Sequence, residues 1–403
     1  MDSTPNLEAA RVAVNRLTLD ELNILLADIP SLNQTSQLIA QLKPAQAGSL
    51  ICRAINFIDA IQRRQQLSQA ERYALFPIVD EELWRIYKLQ DISHWSADEV
   101  EYVRDKKDYE SSSPEEQRLM EGVNAFFLIG DGAISMGMIH RMLLECETYE
   151  ETLSLITQLR METIHAEAYG LAAYTMLGEI RFREVMKQAS ESEYVKRKVA
   201  FIEKYTQADI PKALRYVAQA CAEGIFFCEL FAVVFWWRSR GKFANFIFLN
   251  ELISRDESQH RTQMAKLALR AMASWQARGD REVSPAEILA VVQEAVEIEK
   301  LFVGHGLLDE DIDDLSSVGL STYCCSIADN LLVELGQPTH WGATNPFTWL
   351  NDISMSQKAN FYEVRVGAYS RTSFKQAVDW RGRAGLTVRD MEMPYSTPEQ
   401  VDF

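Results

Sequence analysis

Apolar positions recur at helical spacing through most of the chain, and the alternation typical of β-strands is scarce. Ser113-Pro114-Glu115-Glu116 predicts a helix start, with a serine N-cap and a proline at the first helical position. Three short amphipathic pieces are predicted between residues 7 and 68. The longer helices that the spacing predicts are 114–144, 149–178, 187–206, 212–238, 244–275, 284–304 and 313–335.

Several of these helices are apolar on most faces, which is typical of the buried members of a bundle rather than of surface helices. The low content of glycine (18) and proline (11) agrees with a protein made mostly of long helices. After Asn345-Pro346 the pattern weakens, and beyond about Arg371 the sequence is polar and charged. We therefore predict an all-α fold, a helical bundle with long helices.

Composition excludes several classes of protein. The 403 residues carry 41 Lys+Arg against 58 Asp+Glu, a formal charge of -17, which speaks against a surface that binds nucleic-acid phosphates. The longest apolar stretch, from about Phe226 to Trp237, contains Glu229 and is predicted to be too short to span a bilayer. No secretory signal begins the sequence, and six cysteines form no CxxC pair, so we expect a cytoplasmic protein without disulfides.

Two Glu-x-x-His motifs carry the first sign of chemistry. They are Glu162 with His165 and Glu257 with His260. Residues three apart on a helix project from one face, so each motif presents a carboxylate and an imidazole together. Both motifs lie in strongly apolar helices, where an ionised carboxylate is costly unless it is paired or bound to a cation.

Two further helices each carry one acid in an apolar setting, Asp131 and Glu223. Four helices thus supply four carboxylates and two imidazoles, an oxygen and nitrogen donor set that suits two first-row metal ions. Ferritin-like dimetal bundles have this arrangement. The alternative is a set of buried ion pairs in a bundle core. We predict a ferritin-like bundle with a dinuclear metal site in its core.

Longer motifs resemble one family. Arg160–Tyr169 looks like a ligand helix of the class I ribonucleotide reductase small subunit. Glu223–Phe227 and Asn250–Glu257 are similar to its eukaryotic and viral branch. Weaker similarity extends from about Phe76 to Tyr369. The segments that carry this weaker similarity are Glu82–Trp84, Trp95–Val100 and Asn345–Phe347.

The resemblance implies roles for individual residues. One metal ion would be held by Asp131, Glu162 and His165, and the second by Glu223, Glu257 and His260, with Glu162 and Glu257 among the bridges. The ions would be two Fe, with Mn or a mixed pair also compatible with the donor set. Tyr169, seven residues after Glu162 on the same helix face, would bear a stable tyrosyl radical. Three residues would form a dry radical pocket: Phe227, Phe231 and Ile253.

A path for radical transfer is also implied. Trp95, Asp256 and His165 match a series of family residues that leads away from the metals. An aspartate that accepts the Nδ1–H of a histidine, whose other nitrogen binds metal, would also orient that ligand. In the C-terminal part, Tyr369 matches the tyrosine that relays the radical between subunits, and Tyr395 is the competing candidate.

The resemblance implies partners and an activity. The protein would form a homodimer and dock onto a separate large subunit through its C-terminal tail, with Phe403 as the apolar anchor and Asp402 beside it. The large subunit would use the radical to reduce ribonucleotides to deoxyribonucleotides. Two other functions remain open, a ferritin-like oxidase or oxygenase with an open substrate channel, and a non-catalytic regulatory paralogue, which normally loses ligands.

The sequence departs from the family pattern at two places. Gly130 stands where many relatives have serine, so a hydrogen bond near the site is expected to be missing. Gly132–Met138 also lacks two polar groups of the usual pattern. We expect three parts: an N-terminal helical extension of unknown role (1–70), the dimetal-carboxylate domain (71–345), and a C-terminal segment with a docking tail (346–403).

Overall fold

The computed structural model describes residues 75–347 and 350, except 208, 279 and 309–310, and not the side chains of 277 and 278. The protein divides into two units: Met1–Arg85 with Thr372–Phe403, and Ile86–Arg371. Only residues 75–85 of the first unit are among those described, so the predicted amphipathic pieces between 7 and 68 lie outside them. The three-part division of the sequence stays a prediction.

The described residues form helices and no named strand, which confirms the all-α prediction. The main helices are α1 (Glu81–Ser93), α2 (Asp105–Ser111), α3 (Pro114–His140), α4 (Tyr149–Glu191), α5 (Glu193–Tyr205), α6 (Lys212–Ser239), α7 (Ala244–Ala273), α8 (Pro285–Phe302) and α9 (Ser317–Glu334). The short connecting turns are Ala97–Glu99, Met142–Glu145, Trp275–Arg278 and Val303–Leu307.

Helix starts follow local chemistry that is visible in the sequence. At the start of α3 the Ser113 hydroxyl accepts the Glu116 N–H at 3.2 Å, and the Glu116 carboxylate accepts the Ser113 N–H at 3.1 Å. Pro114 fills the first helical position, where no N–H is needed. Ser284 caps α8 in the same reciprocal way. The predicted start of α3 is therefore confirmed.

The boundary between the predicted helices 149–178 and 187–206 differs from the observed boundary between α4 and α5. Gly178 has φ +71°, a left-handed conformation that glycine adopts without a steric penalty, and it kinks the backbone where the first helix was predicted to end. Helix α4 nevertheless continues beyond this kink to Glu191. The next helix, α5, therefore begins at Glu193, later than predicted.

Helix α6 lies at the centre of the bundle. Every residue from Lys212 to Trp237 except Gly224 is buried, and α6 packs against α7 most extensively and also against α8 and α9. By length and composition the whole of α6 and Pro114–Glu145 are each long and apolar enough to cross a membrane. The stretch Phe226–Trp237, predicted to be too short for this, is only part of α6. However, 94% of the apolar 18-residue segment of α6 is buried inside the protein, which identifies α6 as a core helix.

A buried ion pair joins α5 to α8 in this core. Lys198 Nζ lies 2.5 Å from Glu299 Oε2, donates to the Phe226 carbonyl at 3.0 Å, and sits 3.8 Å from the ring centroids of Phe126 and Phe302. Burial raises the pKa of Glu299 to about 7, although the Lys198 charge opposes this shift. The ammonium therefore stabilises a carboxylate that the apolar core would otherwise force to take up a proton.

Candidate metal centre

Four helices bring the six predicted ligands into one place. Asp131 comes from α3, Glu162 and His165 from α4, Glu223 from α6, and Glu257 and His260 from α7. None of the six is more than 3% exposed. Their donor atoms form two groups, each with all atoms within 4.8 Å of one another. The first group is Asp131, Glu162 and His165, and the second is Glu162, Glu223, Glu257 and His260.

The two Glu-x-x-His motifs interlock across the site. His165 Nδ1 lies 2.9 Å from Glu257 Oε1 on the facing helix, and His260 Nδ1 lies 2.9 Å from Glu162 Oε1. Each histidine is also close to the glutamate of its own motif, at 3.4 Å and 3.2 Å. Glu162 belongs to both groups of donor atoms, and Glu257 reaches His165 of the first. This geometry is compatible with both glutamates acting as bridges.

The donor set has the chemistry of a cation site. Asp131 Oδ2 and Glu223 Oε2 are buried and accept no hydrogen bond from any residue that the structure describes. Buried carboxylate oxygens without donors are costly, and four carboxylates exceed the charge that two imidazolium groups could balance. Two divalent cations bound by these oxygen and nitrogen atoms would remove both deficits, so the residues present fit a dimetal centre.

Charges within the cluster shift the pKa values in opposite directions. Burial, and then the Glu162 charge, raise the pKa values of Asp131 and Glu223 well above the ordinary carboxyl range. Burial would also raise the pKa of Glu257, but the two histidines outweigh it and lower that pKa. The carboxylates in turn raise the pKa values of His165 and His260 against the effect of burial. Without cations the cluster is therefore short of positive charge.

Asp256 links His165 to Trp95. Its Oδ2 accepts the Trp95 Nε1–H at 2.7 Å and lies 3.3 Å from His165 Nε2, and the Trp95 and His165 rings are stacked with centroids 6.0 Å apart. From sequence we expected Nδ1 in the contact with Asp256, which is wrong. Nδ1 faces the carboxylates of Glu162 and Glu257, at 3.4 Å and 2.9 Å, and Nε2 faces Asp256.

Tyr169 is fully buried on α4 and has a definite hydrogen-bond partner. Its hydroxyl donates to Asn250 Oδ1 at 2.8 Å, and Asn250 Nδ2 donates to the Phe246 carbonyl at 2.8 Å, which fixes the orientation of the amide. Burial, and then the charges of Asp131 and Glu257, raise the pKa of Tyr169 well above 10. The phenol therefore keeps its proton at neutral pH. The role of Asn250 was not recognised from the sequence.

Aromatic rings cover the phenol. Phe127 stacks on Tyr169 with ring centroids 4.4 Å apart and planes within 5° of parallel. The predicted pocket residues Phe227 and Phe231 contact Phe127, at 5.8 Å and 5.2 Å between centroids, and Ile253 is buried on α7. Sequence reasoning missed Phe127, although it lies four residues before Asp131 on the same face of α3.

Gly130 has a steric explanation. A Cβ atom at this position would lie 3.0 Å and 3.1 Å from two atoms of the Phe227 ring, closer than side chains ordinarily pack. The absence of a side chain therefore leaves room for Phe227, which packs on Phe127 beside the phenol. Met136, within the other unusual segment, is 48% exposed on the outer side of α3 and thus points away from the buried cluster.

Two glutamines donate to a predicted ligand and were also missed. Gln158 Nε2 and Gln219 Nε2 reach Glu223 Oε1 at 2.6 Å and 2.9 Å. A signal was available for both. Gln219 lies one helical turn before Glu223, and Gln158 one turn before Glu162, so helical spacing places both amides beside ligands. The other predicted residues, Tyr369, Tyr395, Asp402 and Phe403, lie outside the described residues.

Comparisons with known proteins point to one family. A family model for the ribonucleotide reductase small chain matches residues 72–346. A ribonucleoside-diphosphate reductase small chain from Arabidopsis thaliana is 33% identical over 308 residues, covering 88% of that relative and 76% of this protein. The small chain from variola virus is 31% identical over 303 residues, covering 92% of that relative and 74% of this protein. The ribonucleotide reductase Rnr4 homodimer from Saccharomyces cerevisiae matches with a TM-score of 0.61 and 25% identity, covering 99% of that structure and 75% of this protein.

Proposed function

Because this chain belongs to the ribonucleotide reductase small-chain family, in its eukaryotic and viral branch, we propose that its buried cluster holds two metal ions and generates a radical on Tyr169. The family uses a dimetal site of iron or manganese to make a tyrosyl radical. The observation that carries the proposal for this protein is the pair of donor groups, which share Glu162 within one fully buried core.

We assign one ion to Asp131, Glu162 and His165, and the other to Glu223, Glu257 and His260. Glu162 and Glu257 are positioned to bridge, since each contacts a histidine from the opposite motif. Burial of all six ligands favours this function over an oxidase that admits a substrate beside its metals. The presence of all six also distinguishes the protein from a paralogue that has lost its metals. The donor set accepts iron, manganese or a mixed pair.

Bound in this site, the two ions would supply electrons to dioxygen and the oxidising power to remove one electron from a nearby phenol. Tyr169 is the phenol that the protein offers. The hydrogen bond to Asn250 orients its hydroxyl, and an amide oxygen is too weak a base to take the proton away. Oxidation of Tyr169 must therefore move the proton to another group at the same time as the electron leaves.

The surrounding rings protect such a radical. Phe127 covers one face of the Tyr169 ring, and Phe227 and Phe231 pack behind Phe127, so water has no room at that face. Tyr169 itself has no exposed surface. A radical without contact with water or dissolved reductants would persist, which is what delivery to a second subunit requires.

The contact series from His165 through Asp256 to Trp95 supports a route for the radical out of the core. One oxygen of Asp256 accepts the Trp95 N–H and also lies 3.3 Å from His165 Nε2, so the three side chains form a continuous connection. Beyond Trp95 the route would continue through Tyr369, whose flanking residues resemble the family pattern more closely than those of Tyr395.

The small subunit works with a large subunit, where ribonucleotides are reduced. We propose that the protein docks there through its C-terminal tail, Pro398–Phe403, with the Phe403 ring as anchor and Asp402 steering toward basic residues. A tail that becomes ordered on contact loses entropy, so each contact would be moderate in strength. Two tails on one homodimer would raise the effective affinity.

A homodimer is supported by the outer side of α3. Met136 and Ile139 are 48% and 44% exposed there, one helical turn apart, and only 56% of the apolar window of Pro114–Glu145 is buried within one protomer. An apolar helix face of this kind is usually covered by a partner. The similar Rnr4 protein forms a homodimer, and sedimentation of the full-length protein tests whether this one does.

Metal analysis and electron paramagnetic resonance test the main proposal. The metal-free full-length protein, given Fe(II) and oxygen, should bind two ions per protomer and show a tyrosyl signal. The Glu257→Ala and His260→Ala variants should each lose most binding at one site. Two ions still bound per protomer in both variants would refute the ligand assignment, and a wild-type protein that binds no metal would refute the site.

A further inference from the structure

Three buried glutamines form a hydrogen-bonded chain that ends on Glu223, and a fourth donates to the same carboxylate. We call these four residues, Gln90, Gln263, Gln158 and Gln219, the glutamine file. Gln90 at the end of α1 donates to Gln263 Oε1 on α7 at 2.8 Å, and Gln263 donates to Gln158 Oε1 on α4 at 2.9 Å. Gln158 donates to Glu223 Oε1 at 2.6 Å, and Gln219 donates to the same oxygen at 2.9 Å. No glutamine of this file is more than 3% exposed.

The carboxylate sets the direction of the whole file. A carboxylate oxygen only accepts hydrogen bonds, so Gln158 must turn its NH₂ group toward Glu223 and its carbonyl away. That carbonyl then requires an N–H donor, which Gln263 supplies, and the carbonyl of Gln263 requires the next donor, from Gln90. Each amide orientation therefore follows from the one before it, and reversing any of them would oppose like groups.

The file treats the two oxygens of Glu223 differently. Oε1 receives two N–H donors, whereas Oε2 is buried and accepts no hydrogen bond from the described residues. Two N–H donors already occupy both lone pairs of Oε1, so a Glu223 that chelated an ion with both oxygens would have to give up at least one of these hydrogen bonds and leave a buried N–H donor without an acceptor. Amides are also neutral, so unlike lysine or arginine they hold the carboxylate without repelling a cation.

We propose that the glutamine file is a positioning network that makes Glu223 a one-oxygen metal ligand, with Oε1 held by amides and Oε2 presented to the ion. This inference rests on the proposed dimetal site. Gln158 and Gln219 act on Glu223 directly. Gln263 and Gln90 act through Gln158, by preventing its amide from turning over.

Mn(II) binding to the metal-free full-length protein tests the network without reference to turnover. The Gln158→Leu/Gln219→Leu variant removes both donors from Glu223. We expect one of the two ions to bind about 10- to 100-fold more weakly, the usual effect of losing groups that orient a ligand. Infrared carboxylate bands of the Mn(II)-loaded protein should shift from the one-oxygen toward the two-oxygen binding mode.

Two further variants separate the network from general packing. Gln263→Leu leaves both donors to Glu223 in place, and we expect a smaller loss of affinity with the same direction of infrared shift. The control is Gln259→Leu, the same substitution one turn earlier on α7 at a buried glutamine outside the file, which should bind both ions as the wild type does. Circular dichroism of each metal-free variant checks the fold.

The outcomes distinguish this inference from the dimetal site itself. If the double variant binds both ions as tightly as Gln259→Leu and its carboxylate bands do not move, the network is refuted. Should the double variant not fold, unchanged affinity and bands in Gln219→Leu refute it instead. A Glu223→Ala variant that still binds two ions would refute the proposed site. If Glu223→Ala loses one ion but the glutamine variants bind both ions as the wild type does, the network alone is refuted.

Discussion

Replacing Asp256 tests whether this residue supports the metal ligand His165, because hydrogen-bond donors surround both oxygens of its carboxylate. Oδ2 accepts from Trp95 at 2.7 Å and lies 3.3 Å from His165 Nε2, while Oδ1 accepts two N–H groups of Arg255 at 3.1 Å and 2.9 Å. Asp256→Asn keeps the size of the side chain but turns one acceptor into an NH₂ donor. Whichever way the amide faces, donors then oppose donors on one side.

The magnitude follows from these contacts. A buried donor left without its acceptor costs about 1–3 kcal/mol, so the free energy of unfolding of the metal-free protein should fall by that amount. His165 also loses the carboxylate that orients its ring and increases its basicity. Affinity for one metal ion should therefore drop by about 10- to 100-fold, which a Mn(II) titration measures.

Asp329→Asn is the matched control. Asp329 is also buried, and its oxygens accept the backbone N–H groups of His340, Trp341 and Ala343 at 2.7–3.0 Å, so its loss should cost comparable stability. It should leave metal affinity unchanged. Equal Mn(II) affinity in Asp256→Asn and Asp329→Asn would show that Asp256 does not support His165.

The Asp256→Asn variant also tests the proposed route of radical transfer. With metal supplied in excess, Asp256→Asn should form the tyrosyl radical, while turnover with the large subunit falls further than the radical content does. Turnover that falls only in proportion to the radical content would remove Asp256 from the route and leave it a role at His165 alone.

Three other changes have defined outcomes. Tyr169→Phe should keep the fold and both metal ions but abolish the tyrosyl signal; a persistent signal would place the radical elsewhere. Lys198→Met should lower the free energy of unfolding by about 3–5 kcal/mol near pH 8, because Glu299 stays buried without its cation. The pKa of Glu299 in the folded protein is already raised to about 7, and losing Lys198 raises it further. The free energy of unfolding therefore falls as the pH rises above the lower pKa that Glu299 has in the unfolded chain. Urea unfolding should show a smaller loss at pH 5 than at pH 8, and the reverse order would contradict this reasoning. Deleting residues 397–403 should leave metal and radical intact and abolish turnover at low subunit concentration; full turnover there would exclude tail docking.

Much of the bundle could be predicted because its signals are local. Apolar spacing, the Ser113 cap and the two Glu-x-x-His motifs each depend on residues within one or two helical turns. The kink at Gly178 was also visible as a break in the pattern, but helical structure resumes beyond it, so the boundary of α5 was misplaced. Local propensity does not determine whether two adjoining helices merge or separate.

Local sequence signals were enough to predict most of the helices, the acids and histidines that face the core, and the resemblance to one family. Which atoms meet became visible in the packed bundle: Nε2 rather than Nδ1 of His165 at Asp256, Phe127 on the Tyr169 ring, and Asn250 at its hydroxyl. The tertiary structure also decided that buried glutamines on four helices form one file. Apart from the contact of Gln219 with Glu223 one turn later, each of these contacts joins residues distant in sequence, whose distance and orientation depend on how the helices pack against one another.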